Sequence, residues 1–183
     1  MSERHALVTV RLDLVPAEPS HADETWPHLN DEQMWTFFPA MRPPSIAALR
    51  GRYERFSHTV PYLDATERWE NWICKRRQDG AAVGEAQATY AGTTTVYVAY
   101  GIFPAFQRQG FAREATAAVL GHARDLHGAR TAIAEMAAAN IASIRVVEAL
   151  GFTRIKTRRD TDHGLGYYGE TYVYRLLLET PRV

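Results

Sequence analysis

The stretch QRQGFAREA, residues 107–115, places Gly110 after two glutamines and before a run of good helix formers. Apolar residues then recur at intervals of three and four as far as Leu126, and Gly128 follows as a natural C-cap. This pattern predicts a helix of about sixteen residues. N–H groups in the first turn of a helix lack partners within the helix and carry partial positive charge, so they can hold a phosphate. A plain helix start is the alternative, because the pattern Gln-x-x-Gly-x-Ala also occurs by chance.

Strands are predicted directly before this helix. TTVYVAYGIF, residues 94–103, has apolar residues on both alternating faces, which predicts a central strand covered on both sides. The segments WENWICKRR (69–77) and AAVGEAQATY (81–90) are joined to it and to each other by short turns. The three segments are therefore expected to form consecutive antiparallel strands.

After the helix, the pattern alternates between strand and helix. A strand is predicted in ARTAIAEMA (129–137), followed by a short helix from about Asn140 to Leu150. The last two predicted strands, within 152–159 and 172–179, are expected to pair with each other.

The first third of the chain is predicted to hold one strand and two helices. Apolar alternation predicts a strand over residues 8–15, and a helical stretch follows at about 20–30. A second helix is expected after Pro44, where Ser45 can cap its first turn. The aromatic and proline-rich segment between the helices, residues 31–44, either covers the core or lines a pocket.

Composition limits the class of protein. The chain has 183 residues, which predicts a single domain over 1–183, and its 21 basic and 21 acidic residues give no net charge. This balance argues against a nucleic-acid-binding protein. The single cysteine, Cys74, is expected to be a buried, inert thiol. No apolar run is long enough to span a membrane and no signal-peptide core is present, so a cytoplasmic protein is expected.

Two common phosphate-binding motifs are absent, and so is a metal-binding pattern. The sequence contains neither G-x-x-x-x-G-K-[ST] nor G-x-G-x-x-G after a strand. The seven histidines show no metal-ligand spacing, and a single cysteine excludes a multi-cysteine site, so no metal is expected. His122, on the apolar stripe of the long helix, is expected to be packed rather than catalytic.

The order of these segments resembles that of the GNAT superfamily (GCN5-related N-acetyltransferases), especially its RimJ/RimL-like branch of ribosomal-protein N-terminal acetyltransferases. The segments that carry the resemblance are the strand 94–103, the Gly110 loop, the long helix, the strand with Glu135 and AANIASIRVVEALGF (138–152). The resemblance covers 12–178 loosely and is sharpest over 96–152. It implies an α/β (α+β) fold with a mixed, mostly antiparallel central sheet of about seven strands, flanked by helices, and a splayed central strand pair.

The resemblance implies acetyl-CoA as co-substrate, without a metal, and assigns residues to it. The pantetheine arm would add to the strand edge at Tyr100, Gly101 and Ile102. Gly101 fits a bulge or a close approach there, or it is only a packing glycine. Asn140 would contact the same arm, although an asparagine there can equally be a helix N-cap. The pyrophosphate would lie on a loop formed by Gln107, Arg108, Gln109, Gly110, Phe111, Ala112 and Arg113.

Glu135 and Ser143 are the catalytic candidates that the resemblance implies. Glu135 is at a position where related enzymes place a general base, and it is expected to act through a water. The alternative is a structural carboxylate that pairs with an arginine or caps the next helix. Val147 stands where many relatives have a tyrosine that protonates the departing thiolate. Ser143 could donate to the sulfur instead, or it is only a residue of the first helical turn.

The acceptor is less defined than the donor. The resemblance implies a protein or peptide N-terminal amine or a small-molecule amine, and plausible walls of its site are Trp35, Phe37, Phe38 and Tyr168. A CoA-binding module that has lost catalysis and has a regulatory or assembly role is the alternative function, which Val147 keeps open. A homodimer through the C-terminal strands is possible in this interpretation, whereas nucleic-acid and membrane partners are not expected.

Overall fold

The structure is a computed structural model that describes residues 5–57, 68–160 and 166–179. These residues form one eight-stranded sheet and four α-helices. The strands are β1 (Leu7–Val8), β2 (Leu12–Pro16), β3 (Arg68–Arg76), β4 (Ala82–Ala91), β5 (Thr95–Ile102), β6 (Thr131–Ala137), β7 (Thr153–Asp160) and β8 (Gly169–Leu177). The helices are α1 (Ala22–Leu29), α2 (Ile46–Ser57), α3 (Phe111–His127) and α4 (Ile141–Ala149).

The sheet has the order β1-β2-β3-β4-β5-β6-β8-β7. Every neighbouring pair is antiparallel except β5 and β6, which are parallel. The predicted succession β3-β4-β5 and the pairing of the last two strands are both confirmed. The mixed, mostly antiparallel sheet is confirmed as well, with eight strands where about seven were expected.

The extra strand comes from the N-terminal segment, where one continuous strand over 8–15 was the wrong prediction. Thr9 breaks the segment, because its N–H donates to the carbonyl of Leu12 at 2.8 Å while its hydroxyl accepts the N–H of Leu12 at 2.8 Å. The chain turns there, and β1 folds back on β2 with Leu7 opposite Leu14. This hairpin carries Arg11 at its tip.

The helix boundaries follow the predicted capping residues. The side chain of Ser45 accepts the N–H of Ala48 at 3.1 Å before α2. Asn140 is the N-cap of α4, and Gly128 ends α3 in the left-handed conformation with φ of 66°. These caps are local interactions, which explains why the sequence predicts them well.

Two hydrophobic cores lie on opposite faces of the sheet. On one face, Phe111, Ala115 and Val119 of α3 pack with Val96 and Val98 of β5. On the other face, residues of α1 and α2 pack against β3 and the end of β5; this second core includes Leu29, Leu49, Tyr53, Ile73 and Phe103.

The prediction that β5 is covered on both sides is wrong for the middle of the strand. Tyr97 is 41% exposed and Ala99 is also exposed. Both side chains point away from α3, to the opposite face of the sheet. On that face, α1 and α2 cover only the region near Glu85 and Phe103. An open patch of sheet therefore remains beside the second core.

The strands β5 and β6 pair at one end and separate at the other. Their parallel register includes Thr95 with Thr131, Val96 with Ala132 and Tyr97 with Ile133, and ends there. β6 stays paired with β8 along its whole length, as far as Ala137. The predicted splayed central pair is therefore confirmed, and a gap opens between the second half of β5 and β6.

Two further sequence predictions concern the core and the membrane. Cys74 is fully buried, and burial raises the pKa of its thiol, as expected of an inert cysteine. No helix in the described ranges combines the length and the apolar character needed to cross a membrane.

Candidate active site

The edge of β5 that faces the gap is formed by alternate residues. Hydrogen-bonded and non-hydrogen-bonded pairs alternate along antiparallel strands. The N–H of Phe103 donates to the carbonyl of Val83 on β4 at 2.9 Å. The backbone groups of Gly101 therefore also face β4, and those of Tyr100 and Ile102 face the gap. An extended ligand in the gap would meet Tyr100 and Ile102.

Gly101 offers no backbone groups to the gap, but its missing side chain leaves room for Met34 on the strand. A Cβ atom at this position would lie 2.3 Å from Cε of Met34, so the methionine covers the face of the strand where a side chain would stand. Of the three residues predicted at the strand edge, Gly101 thus has a different role from its neighbours.

The segment between β5 and α3 is a tight loop with two residues in the left-handed conformation. Arg108 has φ of 64° and Gly110 has φ of 83°, with Gln109 between them. The side-chain amide of Gln107 donates to the carbonyl of Ile102 at 3.0 Å, which fixes the start of the loop. Gly110 is the N-cap of α3, so the loop leads directly to the unpartnered N–H groups of the first helical turn.

The predicted phosphate-binding residues separate into exposed and buried positions. Those that are exposed are Gln107, Arg108, Gln109, Gly110 and Arg113. Phe111 is buried in the α3 core and Ala112 is half-buried, so these two offer only backbone groups to a ligand.

Arg11, at the tip of the β1–β2 hairpin, contacts this loop, and sequence reasoning missed it. Its Nη1 donates to the carbonyl of Gln109 at 2.9 Å, and its guanidinium lies 4.8 Å from the ring centre of Phe111. Its Nε donates to Glu114 Oε2 at 2.7 Å. Arg11 lies about a hundred residues from the loop in sequence, so only the β1–β2 hairpin brings it there.

The first turn of α4 faces the gap from the other side. The side-chain oxygen of Asn140 accepts a hydrogen bond from the N–H of Ser143 at 3.1 Å. This oxygen therefore caps the helix, as the N-cap alternative predicted. The hydroxyl of Tyr100 donates to the carbonyl of Ser143 at 3.0 Å and so connects β5 to α4. Burial raises the pKa of Tyr100 to about 12, and the phenol stays protonated at neutral pH.

Glu135 lies on β6, on the sheet face opposite α3, and forms an ion pair with Arg158 of β7. Of the two structural roles considered for Glu135, this contact is the pairing with an arginine. Glu135 also lines a cavity of about 220 Å³ at the point where β5 and β6 separate. The carboxylate therefore has both a structural partner and access to solvent.

The same cavity defines the open patch of the sheet. Its walls are side chains of three neighbouring strands, Gln87, Thr89, Tyr97, Ala99, Ile133 and Glu135. Gln87 and Thr89 were not singled out from the sequence. They alternate with buried alanines along β4, and this alternation was the available signal that they share a face with Glu135.

The predicted acceptor walls are only partly near this patch. Trp35 is buried in the second core, with its indole N–H donating to the carbonyl of Leu29 at 2.7 Å, so it is a packing residue. Phe37 and Phe38 are half-buried, and the ring centroids of Phe37 and Tyr167 are 6.1 Å apart. Tyr168 is exposed; the preceding loop, 161–165, lies outside the described residues.

Sequence comparison agrees with this arrangement. Residues 11–153 match the model of a known family, described as an acetyltransferase (GNAT) domain. That range includes the splayed strands, the Gly110 loop and the first turn of α4. Comparison with curated proteins found no significant match.

Solved structures share the fold at low sequence identity. A GNAT-family acetyltransferase from Bacillus anthracis matches with a TM-score of 0.81 and 17% identity, over 94% of this chain and 98% of that one. The ribosomal L7/L12 alpha-N-protein acetyltransferase RimL, in complex with coenzyme A, has a TM-score of 0.75 and 15% identity over 95% and 98% of the two chains. Spermidine N-acetyltransferase from Vibrio cholerae, with CoA and spermine, has a TM-score of 0.76 and 16% identity over 92% and 96%.

Proposed function

The chain belongs to the GNAT family of acetyltransferases, and we propose that it transfers the acetyl group of acetyl-CoA directly to a primary amine. The acceptor is the N-terminal amine of a protein or peptide, or a small-molecule amine. The observation that supports this proposal best is the gap between β5 and β6. The Gly110 loop lies beyond the open end of β5, and the cavity with Glu135 lies where the two strands separate.

The reaction is a direct displacement at the thioester. The neutral amine nitrogen attacks the acetyl carbonyl carbon, a carbon–nitrogen bond forms and the carbon–sulfur bond breaks. The amine loses one proton and the departing CoA thiolate gains one, so the reaction needs no further reactant. A free alkylamine has a pKa of about 10 and is mostly protonated at neutral pH, so a proton acceptor is needed near the acceptor site.

The loop supports binding of the diphosphate part of the co-substrate. The absent side chain of Gly110 permits close approach to the backbone, and the N–H groups of Phe111 and Ala112 point out of the first turn of α3. Arg108 and Arg113 are exposed beside it, and the tip of Arg11 lies within 3.3 Å of an ideal Cβ on Gly110. Cationic groups therefore surround the proposed phosphate position.

The gap supports binding of the pantetheine arm as an added strand. Tyr100 and Ile102 would supply backbone groups from β5. In the described part of the chain, the Nδ2 amide of Asn140 makes no hydrogen bond, and it can donate to a carbonyl of the arm. Asn140 thus serves as helix cap through its oxygen and as cofactor ligand through its nitrogen.

Glu135 is assigned the role of proton acceptor, acting through a water in the adjoining cavity. Arg158 of β7 reaches across β8 and forms an ion pair with the Glu135 carboxylate, which holds the carboxylate in position. Ser143, in the first turn of α4, is assigned the role of proton donor to the departing thiolate. Its hydroxyl would serve instead of the tyrosine that many relatives have at the position of Val147.

The function is tested by the release of free CoA thiol from acetyl-CoA. The acceptors offered are a peptide with a free N-terminus and spermidine, which represent the two kinds of amine named for the structurally similar enzymes. Turnover with at least one amine is expected, together with saturable binding of acetyl-CoA. Binding without turnover on any amine would identify the CoA-binding module, and absence of binding would contradict both functions.

Gly110→Ala is expected to weaken acetyl-CoA binding by about 10-fold or more, because a methyl group would occupy the approach of the diphosphate to the helix. The left-handed backbone at this position also disfavours alanine by about 1–2 kcal/mol. Isothermal titration calorimetry with acetyl-CoA measures the change.

Gly128→Ala is the matched control for this measurement. Gly128 is also left-handed, at the other end of the same helix, and a Cβ there would have no atom within 4 Å. The control is expected to lose similar stability and to retain the wild-type affinity for acetyl-CoA. Equal affinity of the two variants would contradict a phosphate site at Gly110.

A further inference from the structure

A buried cluster of one glutamate and two histidines lies at the end of α3 opposite the Gly110 loop. Glu70 is on β3, and His122 and His127 are in the last part of α3. Their side chains are 10%, 7% and 13% exposed, respectively. With a rise of 1.5 Å per residue, the helix places His122 about 18 Å and His127 about 25 Å from Gly110. The cluster is therefore separate from the proposed acetyltransferase site.

The two imidazoles and the carboxylate of the cluster lie close together. Nε2 of His122 is 2.8 Å from Oε2 of Glu70, and Nε2 of His127 is 3.2 Å from the other oxygen, Oε1. The two Nε2 atoms are 3.2 Å apart, and one donor atom from each of the three residues fits within 4.8 Å. In a tetrahedral zinc site with bonds near 2.0–2.1 Å, neighbouring ligand atoms lie about 3.4 Å apart. The two nitrogens already have this spacing, and a turn of the carboxylate would bring one of its oxygens to the same ion.

Both Nε2 atoms of the cluster are directed at one carboxylate. Nη2 of Arg68 lies 2.5 Å from Nδ1 of His127, and a guanidinium can only donate. Nδ1 of His127 therefore accepts, and the imidazole carries its proton on Nε2. His122 also needs a proton on Nε2 to donate to Glu70, so two N–H groups point at the two oxygens of the same carboxylate. A single cation could replace both protons and bind the same three side chains.

The surroundings favour a cation as well. The hydroxyl of Tyr90 donates to Oε2 of Glu70 at 2.8 Å and holds the carboxylate in place, as a supporting residue does in metal sites. His127 is the last residue of α3, where the helix dipole attracts positive charge. A cavity of about 240 Å³, bordered by His127, Tyr90 and Arg68, opens the cluster to solvent.

We propose that Glu70, His122 and His127 bind one divalent transition-metal ion, with zinc as the best match, through the carboxylate and the two Nε2 atoms. Two imidazoles and one carboxylate are a zinc ligand set, and water from the cavity can take the fourth position. The ion would connect β3 to the end of α3 and thereby stabilise the folded chain. Across the described residues, no other three His, Cys, Asp or Glu side chains converge in this way.

Arg68 is a competitor of the ion in this proposal. An imidazole bound to metal through Nε2 carries its proton on Nδ1, where Arg68 now donates. Arg68 also lies 3.8 Å from Glu70, so its charge opposes a second cation at the carboxylate. The guanidinium must leave before zinc binds, and its side chain borders the open cavity into which it can move.

The test is calorimetric titration of the whole chain with zinc chloride after treatment with a chelator. One equivalent is expected to bind with a dissociation constant in the micromolar range or below. His122→Gln and Glu70→Gln are each expected to weaken binding by about 10-fold or more. Arg68→Gln is expected to tighten it several-fold, a gain that a misfolded variant would not show.

His28→Gln is the matched control, since His28 lies on α1, stacked on Phe103 on the other side of the sheet. It is expected to bind zinc like the wild type. Zinc should also raise the melting temperature of the wild type and of Arg68→Gln, but not that of His122→Gln. Absence of saturable binding, equal binding by His122→Gln and His28→Gln, or no gain in Arg68→Gln would each overturn the proposal.

Discussion

Replacing Glu135 by glutamine is expected to lower kcat/KM for acetyl transfer by about 100-fold at neutral pH, the lower range for loss of a general base. Glutamine keeps the size of the side chain and a hydrogen-bond acceptor for Arg158, but it does not take up a proton. The amine must then lose its proton to solvent, so the remaining activity should rise with pH towards the pKa of the amine. Thiol release measured as a function of pH gives both the loss and the changed pH profile.

Arg158→Gln separates this role from a purely structural one. Arg158 forms the ion pair with Glu135, so removing it breaks the same contact from the other side while the carboxylate stays. The expected loss of kcat/KM is therefore much smaller than in Glu135→Gln. Equal losses in the two variants, or full activity of Glu135→Gln over the whole pH range, would show that Glu135 only supports the sheet.

Gly84→Ala is expected to lower the free energy of unfolding by about 3 kcal/mol, at the upper end of overpacking effects. Its Cβ would lie 2.4 Å from the backbone oxygen of Gly101 and 2.8 Å from Cδ1 of Ile102. A backbone oxygen in the middle of a sheet cannot move aside as a flexible side chain does, so β4 and β5 must shift apart. Urea unfolding measures the loss of stability.

The same substitution should also weaken acetyl-CoA binding, because Ile102 belongs to the strand edge at the gap. Gly121→Ala is the control, since Gly121 lies inside α3 and its Cβ would meet no atom within 4 Å. It is expected to raise the free energy of unfolding by about 0.5–1 kcal/mol, because alanine has the higher helix propensity. A Gly84→Ala protein as stable as the wild type would contradict the close packing of β4 on β5.

Predictions from sequence were most accurate where neighbouring residues decide the structure. Ser45, Asn140 and Gly128 cap helices at the predicted positions, because a cap depends on residues three or four positions away. The N-terminal strand was the exception. Its alternating pattern continues through Thr9, whose turn depends on a hydrogen bond that hydropathy does not show.

The sequence located the continuous segments of the candidate site and missed the residues that reach it from distant parts of the chain. The Gly110 loop and the first turn of α4 are continuous stretches, and their positions follow from their own patterns. Arg11 reaches the loop from a hairpin about a hundred residues earlier. Trp35, expected at an acceptor wall, is buried, because aromatic content alone does not show whether a side chain faces a pocket or the core.

The order of the elements after the N-terminal hairpin, the helix caps and the glycine loop all follow from the amino-acid sequence, since side-chain periodicity and local hydrogen bonds specify them. The tertiary structure decided which side chains meet across the sheet. The gap at β5, the pairing of Glu135 with Arg158 and the convergence of Glu70 with His122 and His127 all depend on strand register and helix packing. Register joins residues far apart in the chain, and no local pattern records it.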